Sequence, residues 1–133
     1  MNSVVLFVSP NSQDARSLTS MLVDASMELV HAAGLKSAAE RLKSRLFPVV
    51  LTESKLEDGD WLDVLHLARP ANAELVVTDP WADARFWAEA INMGAFDLLV
   101  QPFQRIEVQR VLASAAAARI TRAAQLRVGA AVS

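Results

Sequence analysis

Five strand-like segments alternating with five helical ones predict an α/β fold: a three-layer, doubly wound five-stranded parallel sheet, (βα)5. Three observations carry this expectation. The strand candidates are short apolar runs closed by turn-forming residues, as suits strands buried on both faces. Each is followed by a stretch with apolar residues at helical spacing. The connections are short, so successive strands return in parallel through crossover helices, which are right-handed.

Val4-Val5-Leu6-Phe7-Val8 forms the first strand, and Ser9-Pro10-Asn11-Ser12 turns the chain. Leu18, Met21, Leu22 and Ala25 mark the inner face of the first helix. Met27–Ala32 is a short second strand, ended by Gly34. Ser37 and Glu40 form a capping-box pattern, in which hydroxyl and carboxylate satisfy each other's backbone amides. The helix they open turns Ala38, Ala39, Leu42 and Leu46 inward until Pro48 stops it. The third strand begins there and ends at Glu53. Asp60 caps a helix bearing Leu62, Leu65 and Leu67, and Pro70 closes that segment. Leu75-Val76-Val77-Thr78 is the fourth strand. A helix from about Ala82 to Met93 follows, and Gly94 supplies the left-handed residue that ends helices. Phe96–Val100 is the fifth strand. Gln101-Pro102-Phe103 turns into the last helix, whose apolar stripe is Ile106, Val108, Val111, Leu112, Ala115 and Ile120.

The chain has 133 residues, enough for one domain with a hydrophobic core and too few for two. The domain is expected over residues 1–122, with 123–133 as a helical extension that frays from Val128 to Ser133. No apolar run approaches a membrane span, and the amino terminus lacks the pattern of an export signal. Cysteine is absent, which removes disulfides and thiolate metal sites and fits a cytoplasmic protein. The net charge of −2 disfavours direct nucleic-acid binding. The charge is uneven: residues 1–100 carry eight Lys/Arg against fourteen Asp/Glu, whereas residues 101–133 carry five Arg against one Glu.

In an open parallel sheet, chemistry belongs at the carboxyl ends of the strands. There the chain resembles a CheY-like receiver domain of a two-component response regulator, from about Val4 to Ile120. The resemblance rests on Glu53 to Asp60, on Val76 to Thr78, and on Gly94-Ala95-Phe96-Asp97 leading to Gln101-Pro102-Phe103. It implies a flavodoxin-like fold and a role in phosphorelay signalling. Receivers accept a phosphoryl group on an Asp at the end of the third strand, beside an acidic pair that helps hold Mg²⁺. A hydroxyl residue after the fourth strand and a Lys after the fifth engage the phosphoryl oxygens. Carried over, the phosphoacceptor position is Glu53, the switch hydroxyl is Thr78 and the Lys position is Gln101. The acidic pair falls on Pro10 and Asn11, or on Ser9 and Pro10 if the turn is offset by one. Leu98 takes the aromatic switch position.

These departures act together. Mg²⁺ wants near-octahedral oxygen ligands including carboxylates, and the acidic pair is gone. The extra methylene of Glu53 displaces a nucleophile by about an ångström, on a scale where misplacement costs about 10²-fold. Loss of the Lys removes a charge from the phosphoryl group. The expectation is a degenerate pseudo-receiver with no resident cofactor and no catalytic residue, working by protein contact. Three readings of the pocket are open: Glu53 imitates a phosphorylated Asp, the pocket is inert, or Asp79 rebuilds a Mg²⁺-dependent phosphoacceptor site. His31 and His66 lie away from the rim and read as structural or surface residues. No nucleophile elbow, phosphate loop or metalloprotease motif occurs, which disfavours an enzyme. Trp81, Phe86 and Trp87 cluster at the fourth helix. With Leu98, Arg105 and Arg110, Phe86 and Trp87 mark the fourth helix–fifth strand–fifth helix face as an expected surface for a protein partner or a homodimer. No membrane or nucleic-acid partner is expected.

Overall fold

The structure, a computed structural model, describes the backbone of residues 3–132 and the side chains of residues 3–121. Five strands form one parallel sheet: β1 (Ser3–Val8), β2 (Met27–Ala32), β3 (Val49–Glu53), β6 (Glu74–Asp79) and β7 (Asp97–Val100). Their spatial order is β2-β1-β3-β6-β7. The helices are α1 (Ser12–Leu22), α2 (Leu35–Ser44), α3 (Trp61–Ala68), α4 (Ala84–Met93) and α5 (Arg105–Val132). The expected doubly wound (βα)5 architecture is what the chain adopts.

Side-chain alternation along the strands divides the core into two layers. Val5, Phe7, Val49, Leu51, Val76 and Leu99 pack beneath α1 and α5, meeting Leu18, Leu22, Val108, Val111 and Leu112. Leu6, Val8, Val50, Leu75, Val77 and Leu98 face the other way, onto Ala38, Trp61, Val64, Leu65 and Ala90. Burial on both faces explains why these strands read as unbroken apolar runs.

Several expectations are corrected. The capping box at Ser37 and Glu40 does not form, because α2 begins three residues earlier, with Gly34 as its N-cap. Its start is capped from elsewhere: the Asp58 carboxylate accepts from the amides of Leu35 (2.9 Å) and Lys36 (3.1 Å). Asp58 sits in the turn of a small antiparallel hairpin, β4 (Lys55–Leu56) with β5 (Gly59–Asp60), which the acidic turn did not reveal. These two amide bonds hold the Asp58 carboxyl below its ordinary range. Asp58→Ala is expected to speed hydrogen exchange at Leu35 and Lys36, since both amides lose their acceptor.

Leu46 is 75% exposed, because α2 ends at Ser44 and the extended chain turns Phe47 inward instead. Ile106 is 81% exposed. It stands about 200° round the helix from buried Val108. Ile120 is also exposed, about 120° from Val108. Ala25 belongs to a short 3₁₀ turn, Val23–Ala25, after α1 and is not buried. Asp60 does cap α3 as expected, with Asp63 completing a capping box. Gly94 ends α4 at φ 119°, also as expected. The backbone of α5 remains helical through Val132, including residues expected to fray, and Ser133 lies outside the described residues. Among the described residues no helix is long and apolar enough to cross a membrane.

Candidate functional site

The carboxyl ends of β1, β3, β6 and β7 form one rim, and strand register fixes who meets whom. Glu53 pairs with Thr78 across β3 and β6, and Thr78 pairs with Leu99 across β6 and β7. Val8 is level with Thr52, so Ser9 comes out of β1 at the height of Glu53. Gln101 follows β7 directly, joined to Pro102 by a cis peptide bond.

The structure brings Glu53, Thr78 and Gln101 together. The Thr78 hydroxyl is fully buried and donates to the Leu99 carbonyl at 2.8 Å. Its oxygen can then only accept, as can an ionised Glu53 carboxylate. The Gln101 carboxamide supplies both with a donor: Nε2 lies 3.1 Å from Thr78 Oγ1 and 3.4 Å from Glu53 Oε1. The second contact is long. Among the described residues no hydrogen bond joins the Glu53 and Thr78 side chains directly, and Gln101 bridges them.

Glu53 is half-buried, and its carboxyl is raised above the ordinary 4.5. Desolvation is the main cause, followed by the negative charge of Asp14; Asp79 adds to it, while hydrogen bonds from Gln101 and Ser9 oppose it. A carboxyl held above its unfolded value makes ionisation costlier in the fold. Its contribution to stability is present in full below pH 4.5 and is lost as pH rises through the folded-state value. Glu53→Gln is therefore expected to raise the thermal midpoint at neutral pH. The gain should shrink as pH falls and vanish below 4.5, as read from thermal melts of both chains across pH.

The β1–α1 turn engages two of the three residues that the sequence offered for the acidic pair. Asn11 is the N-cap of α1, with Oδ1 accepting from the Asp14 amide at 3.0 Å, so it is turned to the helix. Ser9 is fully buried, and its hydroxyl accepts from the Asn11 amide at 3.0 Å. Pro10, between them, is exposed. His31 Nε2 lies 2.7 Å from the Ser9 carbonyl and donates to it, while the ring stacks on Phe7 at 5.9 Å. That role is structural, as is the exposed position of His66 on α3.

Two further acids, Asp79 and Asp14, bear on Glu53 by charge. Asp79 is committed to its own loop: Oδ2 accepts from the Ser54 hydroxyl and Oδ1 from the Trp81 amide. It bears on Glu53 only as a repelling charge. Asp14 was overlooked, yet its field acts on Glu53 more strongly than that of Asp79. The available signal was position: once Asn11 caps α1, Asp14 lies in the first turn, over the rim. Among the described residues no three His, Cys, Asp or Glu side chains are placed to hold a metal ion.

The expected interaction residues do not form one patch. Trp87 is 48% exposed on α4, its indole N–H directed to Asp97 Oδ1 on the edge strand β7 at 3.3 Å. Arg110 is exposed on α5. Leu98 is buried in the core beneath α3 and α4, because its place in β7 points it inward. Phe86 is half-buried against Trp61, 6.2 Å between ring centroids. Arg105 turns to the opposite flank and pairs with Asp24 at 3.1 Å. Val100 on β7 and Ile106 on α5 are exposed large apolar residues.

No family model and no curated protein matches this sequence. Solved structures do. A signal receiver domain from Vibrio parahaemolyticus superposes with TM-score 0.83 at 16% identity, over 92% of this chain and 95% of its own. A CheY-like response regulator receiver domain from Methanospirillum hungatei gives 0.80 at 14%, over 92% and 99%. The beryllofluoride-activated NtrC4 receiver domain dimer gives 0.79 at 21%, over 87% and 98%. The fold is that of response regulator receiver domains.

Proposed function

We propose that this chain is a receiver-like signalling module of the two-component type that works by protein contact, independently of phosphorylation at residue 53. The observation that carries the reading is the Gln101 bridge. A neutral carboxamide stands where a receiver has its lysine, and it joins Glu53 to Thr78. Glu53 is turned inward to this network, which favours a fixed switch over an idle pocket. The carboxylate holds Gln101, Gln101 holds Thr78, and Thr78 holds the end of β7.

A divalent ion fits the rim poorly. Ser9 and Pro10 offer no carboxylate, the Asn11 amide oxygen caps α1, and Asp79 is engaged by Ser54 and Trp81. Mg²⁺ binds through hard oxygens in strict geometry. One desolvated Glu53 that already titrates high is a weak start. The rival reading, a phosphoacceptor at an altered Mg²⁺ site, draws its support from Asp14, whose charge reaches Glu53. Incubation with acetyl phosphate and Mg²⁺ followed by intact-mass measurement separates the two. An unchanged mass is expected, whereas a labile phosphoryl adduct on Glu53 would establish the rival.

The contact surface is assigned to α4, β7 and α5, centred on Trp87, Val100, Ile106 and Arg110. Three of these are large apolar residues left in water, and receivers with this fold include one solved as a dimer. The reading takes a second copy or a protein partner on this face. Trp87→Ala is expected to weaken association by about tenfold, the scale of a moderate hot spot. Because the ring is half-exposed, the thermal midpoint should barely move. Intact association with a large loss of stability would make Trp87 a packing residue only.

A further inference from the structure

Trp81 is the most exposed of the large apolar side chains among the described residues, with 88% of its surface in water. Its amide is pinned by Asp79 Oδ1 at 2.7 Å, so the loop that carries it is fixed while the indole is not covered. Beside it runs a groove of about 390 Å³ between the β3–α3 and β6–α4 loops. Trp61 and Phe86 give it an aromatic wall, and Asp60, Asp79 and Asp83 give it three carboxylates against one ammonium, Lys55. Asp60 and Asp83 are helix N-caps. Their cap bonds all fall on Oδ1, and neither Oδ2 takes part in a hydrogen bond among the described residues.

We propose that this groove holds an arginine side chain presented by a basic protein segment. The guanidinium is planar: it stacks on an indole face and forks onto carboxylate oxygens, which matches Trp81 beside the free oxygens of Asp60 and Asp83. The surrounding charge agrees, since residues 1–100 are strongly acidic in sum and draw a basic segment toward them. An acidic or nucleic-acid ligand meets the wrong sign. The inference is independent of the Trp87 surface and of whether residue 53 is phosphorylated.

The test uses triarginine amide as probe and follows the three indole N–H resonances by NMR, with Trp81→Ala to assign the signal. Saturable movement of the Trp81 resonance is expected, with Trp87 still. Asp60→Asn with Asp83→Asn keeps both caps, because Asn caps helices as Asp does, but removes both charges. That variant is expected to bind about fivefold more weakly. The proposal fails if Trp81 does not respond, if the Asn variant binds equally well, or if triglutamate moves Trp81 as far. Movement of Trp81 with protein concentration alone would also overturn it, because a second copy would then fill the groove.

Discussion

Ser9→Asp, Pro10→Asp, Glu53→Asp and Gln101→Lys, made together, are expected to confer Mg²⁺-dependent phosphorylation by acetyl phosphate on residue 53. The rate should exceed that of the unaltered chain by at least about 10²-fold, the cost of an ångström-scale misplacement of a nucleophile. The four changes restore the carboxylates a hard cation needs, shorten the nucleophile and return a cation to the rim. Asn11 is left alone because it caps α1. Without metal the new acids repel one another and Asp14, so the variant should melt below the unaltered chain. Saturating Mg²⁺ at about 100 times Kd should then stabilise it by roughly 2.7 kcal/mol and leave the unaltered chain unmoved. Glu53→Asp by itself is expected to do neither. If that single change sufficed, the degenerate rim would not be what silences the site.

The second large effect belongs to the core. Phe7→Ala is expected to cost about 3–5 kcal/mol, since the ring is fully buried between the sheet and α1 and its removal leaves a cavity. On a chain of this size the thermal midpoint should fall by about 10–20 °C. The loss should also reach the rim. Phe7 stacks on His31, which holds the Ser9 carbonyl, and Ser9 leaves β1 level with Glu53. Faster hydrogen exchange at the Ser9 amide in Phe7→Ala would report that link, and a loss below about 1 kcal/mol would contradict the packing account.

What the sequence revealed and concealed follows from the range of the interactions involved. The strands were legible because burial on both faces demands unbroken apolar runs, as in Val4–Val8. Gly94 and the Asp60 cap were legible because a left-handed turn and an N-cap are local requirements. Parallel strand ends share one edge, which located the site, and the receiver resemblance then picked out Glu53, Thr78 and Gln101 on it. The errors arose where a distant residue decided the outcome. Asp58 caps α2 from more than twenty positions away, so the nearby Ser37–Glu40 pattern was a false signal. Asp79 is the loop acid that its place after β6 suggested, with its oxygens taken by Ser54 and the Trp81 amide. Asp14 acts on Glu53 across the sheet edge, and its only local signal was its place in the first turn of α1. Leu98, Arg105 and Ile106 were misplaced by helix phase and strand facing, where one position changes the side.

The central claim is that the Glu53–Gln101–Thr78 network stands in for phosphoryl chemistry. It is tested most directly by adding millimolar Mg²⁺ and beryllofluoride while recording the Gln101 side-chain amide and the Thr78 backbone amide by NMR. Both resonances are expected to stay where they were. Saturable displacement of the two together, dependent on both additives, would show a working phosphoacceptor pocket and contradict the account.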